Sequence, residues 1–122
     1  SMTNTEYIRS IPHVEMRDFY LNYDIFIFQG LCEGFGIVTL EAMACGLPCL
    51  VSEGGCGVVT HKFDGFINEN RDVDSLVERI RYLNKNRCEI ERMGRNAYGT
   101  AQRHTWKAYC DSVTDAYCEM FV

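Results

Sequence analysis

Residues 25–52 of the 122-residue chain read IFIFQGLCEGFGIVTLEAMACGLPCLVS. The first four and the last four residues of this stretch are apolar or small. They show no alternation of apolar and polar side chains, which is typical of strands buried on both faces. Between them a helix is predicted from about Gly36 to Cys45, ended by Gly46 as a C-cap and by Pro48, which cannot continue a helix. Strand, helix and strand in this order predict an α/β fold with a parallel sheet.

The segments on either side extend this alternation. A short strand or strand end is predicted at residues 6–11, a helix opened by Pro12, and a further strand at residues 66–67. Three helices are predicted after them, and the last carries a broad apolar stripe. Because few strands are present, we expect part of a doubly wound parallel sheet rather than a complete one. The predicted caps and apolar positions are Asp72 with Val73, Leu76, Val77, Ile80 and Leu83, then Ile90, Met93, Ala97 and Ala101 in a helix that Gly94 and Gly99 weaken, then Thr105 with Trp106, Tyr109, Cys110, Val113, Ala116, Tyr117, Met120 and Phe121.

Composition limits the class of protein. Hydrophobic residues make up 47% and charged residues 24%, which is ordinary for a soluble domain. The net charge is −5 and no run is rich in lysine and arginine, so we expect no nucleic-acid partner. No apolar run approaches the ~20 residues that span a membrane, and no secretory signal is visible, which predicts a cytoplasmic protein without a transmembrane segment. Ser1 ahead of Met2 resembles a purification-tag remnant, and we exclude residues 1–2 from the domain.

Seven cysteines are present, and their odd number without an export signal predicts reduced thiols. The simplest interpretation is small, buried, core-filling cysteine, and a cysteine-based redox or metal protein is the less favoured alternative. Cys45, Cys49 and Cys56 lack the C-x2-C spacing that zinc favours, so we expect no metal and no other cofactor. The cysteines are Cys32, Cys45, Cys49, Cys56, Cys88, Cys110 and Cys118.

The loop CEGFG, residues 32–36, leads from a predicted strand into a helix, which is where open α/β sheets bind ligands. The helix start offers unpaired N–H groups and partial positive charge, and Gly34 and Gly36 would let a phosphate approach them. Glu33 lies at the helix mouth and Glu41 about two turns inside, on the order of 10 Å apart at ~1.5 Å per residue. Since carboxylates accept hydrogen bonds from sugar hydroxyls, the pattern admits a nucleotide-sugar.

The residues alone leave simpler alternatives open for this stretch. A glutamate in a buried helix can pair with a basic residue or cap a backbone group, and a Gly-Phe-Gly sequence is more often only a turn. From the residue pattern alone, both interpretations are favoured over a nucleotide-sugar site. The three histidines, His13, His61 and His104, are interpreted as surface or structural.

The stretch CEGFGIVTLEAMACGLPCLVSEGG closely resembles the signature of family-4 glycosyltransferases, which have the GT-B fold. That signature places a glutamate and Gly-Phe-Gly before a second glutamate and an Ala-Met-Ala-x-Gly-x-Pro turn. The segments IPHVEMRDFYLNYDIFIF, VVTHKFDGFI and RMGRNAYGTAQRHTWKAYCDSV are also similar to the family. The resemblance implies that residues 3–122 are the latter part of its Rossmann-like, C-terminal nucleotide-sugar-binding domain.

The family transfers a sugar from a nucleotide-sugar to an acceptor, with retention of configuration and without a catalytic metal. By this resemblance, Glu33 is a catalytic residue that contacts the donor hexose, the backbone from Gly34 to Ile37 binds the diphosphate, and Glu41 holds the ribose. Ile11 lies where the family contacts the base. The implied substrate-binding residues are Ile11, Glu33, Gly34, Phe35, Gly36, Ile37 and Glu41.

The chain also departs from the family. Gln29-Gly30 replaces the usual Pro-Ser, no acidic residue lies near Gly57, and the family's basic pair and first domain are missing from this sequence. We therefore predict the donor-binding portion of a hexosyltransferase that is inactive alone. The alternative is a non-catalytic nucleotide-sugar-binding or assembly module that pairs with a separate chain. An unpaired edge at the IFIF strand and the apolar stripe predict a homodimer or a partner chain.

Overall fold

A three-stranded parallel sheet forms the centre of the fold. The computed structural model describes residues 4–55 and 57–121, the last of them by its backbone alone. The strands β1 (Phe26–Phe28), β2 (Cys49–Ser52) and β3 (Gly65–Asn68) are hydrogen-bonded in the order β1-β2-β3. Residues 1–2 and Cys56, for which a tag remnant and a reduced thiol were predicted, lie outside the described residues.

One α-helix precedes β1, a second lies between β1 and β2, β3 follows β2 with no helix described between them, and three helices come after β3, as the sequence predicts. A 3-10 turn at His13–Glu15 leads directly into the first α-helix, so the helix expected after Pro12 is confirmed. Asp72 caps the third helix by accepting a hydrogen bond from the Ser75 N–H, and Thr105 caps the last in the same way through the Ala108 N–H. The α-helices are α1 (Met16–Tyr20), α2 (Ile37–Ala44), α3 (Val73–Lys85), α4 (Arg87–Arg103) and α5 (Trp106–Phe121).

Helices cover both faces of the sheet. Successive residues of a strand point to opposite faces. On one face, Cys49 and Val51 of β2 pack in a cluster with residues of α1, α2 and α4. On the other face, Leu50 packs with Phe66 of β3 and with residues of α3 and α4. The α/β fold with a parallel sheet is therefore confirmed.

Two strand predictions need correction. Residues 6–11 form no strand. Residues 6–10 are exposed, so they bury too little apolar surface to offset the conformational entropy that is lost when a strand is ordered. The interpretation of β1 as buried on both faces is also wrong, since Ile27 is 41% exposed while Phe26 and Phe28 pack against the core. β1 pairs only with β2 within the described part of the chain, so it lies at the edge of the sheet, as expected.

The end of α2 lies against the middle of α4. Gly46 adopts a left-handed conformation with φ of 78°, which ends α2 where the sequence predicted. A Cβ atom at Gly94 would clash with the carbonyl oxygen of Gly46. The sequence identified Gly94 as a weak point of α4, but its missing side chain is what allows the two segments to approach this closely.

The cysteines are less buried than predicted. Cys49 is buried and Cys45 is half-buried, as expected for core-filling thiols. Cys32, Cys88, Cys110 and Cys118 are exposed, so for these four the prediction is wrong. Their positions in a loop and on the outer sides of α4 and α5 explain the difference. None of the six described cysteines forms a disulfide bond.

The helix α5 is covered by little else in the described chain. From Trp106 to Met120, every residue except the half-buried Ala108 is exposed. The predicted apolar stripe is therefore present as a sequence pattern but faces solvent. Within the described residues, no helix is long and apolar enough to cross a membrane.

Candidate functional site

Three loops meet at the carboxyl edge of the sheet. They follow β1, β2 and β3, and backbone hydrogen bonds and side chains connect them. The Glu33 N–H donates to the Gly54 carbonyl oxygen at 2.8 Å, and the Gly54 N–H donates to Asn70 Oδ1 at 3.2 Å. Ser52 Oγ donates to the Gly30 carbonyl oxygen at 2.5 Å. The CEGFG loop is thus held by hydrogen bonds to the loop that follows β2.

The glycines after β2 make this contact possible. A Cβ atom at Gly54 would clash with the carbonyl oxygen of Leu31. A Cβ atom at Gly55 would lie only 3.0 Å from Ser52 Oγ and 3.2 Å from the Phe28 carbonyl oxygen. Residues with side chains would push the two loops apart, so the glycine-rich segment sets their spacing.

Gln29 joins all three strands and was not identified from the sequence as a site residue. Its Nε2 donates to the Leu50 carbonyl oxygen at 3.1 Å, and its Oε1 accepts from Asn68 Nδ2 at 2.9 Å. The sequence marked Gln29 only as a departure from the family pattern. A polar residue directly after an apolar strand is the signal that could have identified it.

The start of α2 has the geometry of an anion site. Gly36 precedes the helix in a left-handed conformation with φ of 75°, and no described side chain caps it. Its carbonyl oxygen accepts from the N–H groups of Thr39 and Leu40, while the first-turn N–H groups of Ile37 and Val38 have no earlier helical carbonyl to bind. A Cβ atom at Gly34 would meet nothing within 4 Å, so the approach beside the helix start is open.

Glu41 is neither buried nor unpartnered. Its side chain is 32% exposed, and its Oε1 lies 3.5 Å from Nε2 of His13. Because α2 begins at Ile37, Glu41 lies about one turn inside the helix, so the predicted depth of two turns is wrong. Glu33, by contrast, is exposed in the loop. The two carboxylates therefore occupy different settings around the helix start.

The charge of Glu41 acts on its neighbours. Burial raises the pKa of Tyr20, and the negative charge of Glu41 raises it further. Burial also raises the pKa of the Cys45 thiol, with Arg17 opposing and Glu41 adding to the effect. Both groups are therefore held in their protonated forms beside the Glu41 carboxylate.

The remaining predicted site residues lie to either side. The Phe35 ring lies 6.1 Å from the His104 ring, measured between centroids, at the end of α4. Ile11 lines a groove of about 390 Å³ together with Ile8 and residues of α1, including Phe19. The structure thus brings the loop residues together and places Ile11 in a neighbouring groove. Within residues 4–55 and 57–121, no cluster of three or more His, Cys, Asp or Glu side chains could hold a metal ion.

Comparison with known proteins identifies the family of the chain. Residues 2–100 match the family described as Glycosyl transferases group 1. The chain belongs to this family. One relative, the UDP-Gal:alpha-D-GlcNAc-diphosphoundecaprenol alpha-1,3-galactosyltransferase of Escherichia coli, is 41% identical over 59 residues, which cover 47% of this chain and 15% of the relative.

Solved structures agree with the assignment of the fold. Sucrose-phosphate synthase from Thermosynechococcus elongatus superposes with a TM-score of 0.83 at 24% identity, covering 95% of this chain and 30% of that protein. Anabaena Alr3699/HepE, solved in complex with UDP, gives a TM-score of 0.75 at 22% identity, and the superposition covers 83% of this chain and 29% of that protein. The chain has the fold of a GT-B C-terminal domain, and it spans less than a third of the length of these proteins.

Proposed function

We propose that residues 3–122 are part of the C-terminal, donor-binding domain of a retaining family-4 glycosyltransferase, which transfers a hexose from a nucleoside-diphosphate sugar to an acceptor. One observation carries the proposal. The uncapped start of α2, at the left-handed Gly36, lies at the carboxyl edge of the sheet inside the region that matches group 1 glycosyltransferases. A diphosphate would meet N–H donors and the positive end of the helix dipole there.

Each predicted residue has a defined part in this proposal. The N–H groups from Gly34 to Ile37 bind the diphosphate, and no metal is required because the helix start supplies the positive charge. Glu41, which keeps part of its surface exposed, accepts hydrogen bonds from the ribose hydroxyls. Glu33 acts as the catalytic residue at the donor hexose, and its exposure in an anchored loop suits that part. Ile11 contacts the base.

The isolated chain should bind the donor without turning it over. Catalysis requires donor and acceptor to be held together in one geometry. The chain spans 30% of sucrose-phosphate synthase and 29% of Alr3699/HepE, and the acceptor side of the cleft belongs to the part that we propose is missing. Measurable sugar transfer by this chain alone would contradict that view.

Affinity measurements test the proposed roles. UDP is the first probe, because Alr3699/HepE was solved with it, and GDP and ADP complete the series. Titration calorimetry should give a weaker affinity for Glu41→Gln, by about tenfold, since a charge-assisted hydrogen bond becomes a neutral one. Glu78→Gln, an exposed change on α3, serves as the matched control and should leave the affinity unaltered.

A second substitution separates the hexose from the nucleotide. If Glu33 contacts the hexose, Glu33→Gln should reduce the affinity for the nucleotide-sugar more than that for the nucleotide alone. An equal loss for both ligands, or no loss for either, would contradict the assigned part of Glu33. The absence of binding by every nucleotide and nucleotide-sugar to a folded chain would contradict donor binding by this fragment.

An assembly function is a second candidate, supported by two exposed features. The edge of β1 carries Ile27, and α5 presents Trp106 and Tyr109 to solvent. A homodimer or a separate partner chain would cover them. In sedimentation, Trp106→Ser with Tyr109→Ser should shift a dimer toward monomer, whereas Tyr98→Ser, an exposed change on α4, should not. A chain that stays monomeric at high concentration would contradict self-association.

A further inference from the structure

A second groove lies at the opposite end of the sheet from the CEGFG loop. It encloses about 330 Å³ and is lined by the segment before β3, the end of α3 and the start of α4. Lys62 precedes β3, and α3 runs back from the carboxyl edge, so these segments meet at the amino edge. The volume is at the small end of the range for ligand pockets, about 300–1,000 Å³.

The groove collects positive charge in a chain that is acidic overall. Lys62, Arg79 and Arg92 line it, and Glu89 is its single carboxylate. Arg92 already binds Glu89 with both ends of its fork, Nε to Oε1 at 2.9 Å and Nη2 to Oε2 at 2.8 Å. Within the described part of the chain, no carboxylate forms an ion pair with Lys62 or Arg79. Two cations therefore remain for an external anion.

The Arg79 guanidinium and the Lys62 backbone are both held by contacts with neighbouring residues. The Arg79 guanidinium lies 4.7 Å from the centroid of the Phe66 ring, which forms the floor of the groove. Lys62 has a left-handed backbone with φ of 66°, an uncommon conformation for a residue with a side chain. Its N–H donates to the Gly65 carbonyl oxygen at 2.8 Å, and its own carbonyl oxygen accepts from Arg92 Nη2 at 3.2 Å. The turn thus holds Lys62 at the rim.

We propose that this groove binds a small phosphate-bearing anion between Lys62 and Arg79. A dianionic phosphate matches the two unpaired positive charges, whereas a single carboxylate would leave one of them unmatched. The guanidinium fork and the ammonium group are both suited to phosphate oxygens. The site is independent of the glycine loop, because the two lie at opposite edges of the sheet.

His61 provides a built-in reporter of binding. Its Nδ1 accepts a hydrogen bond from the Ile67 N–H at 2.9 Å, and its ring lies 5.8 Å from the Phe66 ring. Burial lowers the pKa of His61, and the positive charges of Arg79 and Lys62 lower it further. An anion bound between those two cations would offset their charge, so the pKa of His61 should rise. The other titratable groups that line the groove are Tyr82, Glu89 and Arg92.

The test is a titration of the isotope-labelled chain with inorganic pyrophosphate, followed by NMR. Sodium chloride at matched ionic strength is the blank, and succinate tests the preference for phosphate. We expect saturable shifts in the amides around Lys62, Arg79 and Arg92, a rise in the pKa of His61, and weaker binding of succinate. Shifts confined to residues 34–37, shifts reproduced by sodium chloride, or equal binding of succinate would overturn the proposal.

A pair of double variants sharpens the test. Lys62→Gln with Arg79→Gln should weaken pyrophosphate binding by about tenfold or more, because two charged contacts are lost. Arg81→Gln with Lys85→Gln removes the same charge from exposed positions of α3 outside the groove and should change the affinity by less than about twofold. Equal affinities of the two double variants would overturn the proposal. If the first variant fails to fold, the shifts and the His61 titration of the unmodified chain decide the question.

Discussion

The helices α4 and α5 have similar lengths, 17 and 16 residues, and both carry apolar side chains at helical spacing, yet they lie in opposite environments. In α4, Met93, Ala97 and Ala101 are buried against the sheet and against α2. In α5, Trp106, Tyr109 and Met120 are exposed. The spacing of apolar residues therefore predicts a helix in both cases, but it does not identify the surface against which that helix packs.

Two methionines give the largest expected contrast between these helices. Met93 in α4 is 1% exposed and Met120 in α5 is 75% exposed. Met93→Ala should lower the free energy of unfolding by about 3 kcal/mol, because it removes buried contacts and leaves a cavity. Met120→Ala should change it by less than about 0.5 kcal/mol. Urea denaturation at low protein concentration measures both, and equal losses would mean that α5 is packed in solution.

The buried carboxylate of Asp64, which contacts α4, gives the next largest expected effect on stability. Asp64 is fully buried, and it accepts hydrogen bonds from the Thr60 N–H at 2.7 Å and from Thr100 Oγ1 at 2.8 Å. Asp64→Ala should cost about 2 kcal/mol in the free energy of unfolding, because these donors lose their acceptor. Asp111→Ala, an exposed change on α5, is the control, and a similar loss from both variants would contradict this account.

Two glycines of α4 should respond in opposite directions. Gly94→Ala should lower the free energy of unfolding by roughly 2 kcal/mol, since the new Cβ atom would clash with the Gly46 carbonyl oxygen. A Cβ atom at Gly99 meets nothing within 4 Å, so Gly99→Ala should raise that free energy by about 0.5–1 kcal/mol. Thermal unfolding of both variants is the measurement. A stabilising Gly94→Ala would mean that α2 and α4 do not approach as described.

The smallest effect concerns the dependence of stability on pH. The folded chain lowers the pKa of His61 below its ordinary value of 6.5. Between the lowered pKa and pH 6.5, the unfolded chain therefore binds the proton more readily than the folded chain. Its contribution to stability is present above pH 6.5 and is lost as the pH falls through the folded pKa. His61→Gln should therefore show a shallower loss of stability on acidification than the unmodified chain. An identical pH dependence would contradict the lowering of the His61 pKa by burial and by Arg79 and Lys62.

What the sequence predicted well was local. β2, α2 and the caps at Asp72 and Thr105 follow from neighbouring residues, since apolar runs, left-handed glycines and capping side chains act within a few positions. The motif around the CEGFG loop also indicated a GT-B glycosyltransferase, and the match of residues 2–100 to Glycosyl transferases group 1 confirms that broader assignment. The hydrogen bonds that anchor this loop on Gly54 could not be predicted, because the two segments are brought together only by the sheet.

What the sequence missed depends on distant contacts. His13 lies beside Glu41 only because the turn before α1 folds against α2, and no local pattern links the two residues. Gln29 contacts Leu50 and Asn68 because three strands end at one edge. The strand predicted at residues 6–11 failed for the same reason, since a strand requires a neighbour that the local sequence does not specify.

The central claim is that the start of α2 binds the diphosphate of a nucleotide-sugar. Amide-resolved NMR of the labelled chain, titrated with UDP and UDP-glucose, tests it most directly. The account predicts that the largest shifts occur at the amides from Gly34 to Ile37 and that Glu41→Gln weakens them. A well-dispersed spectrum in which these amides do not move with either ligand, or in which Glu41→Gln leaves their response unchanged, would contradict it.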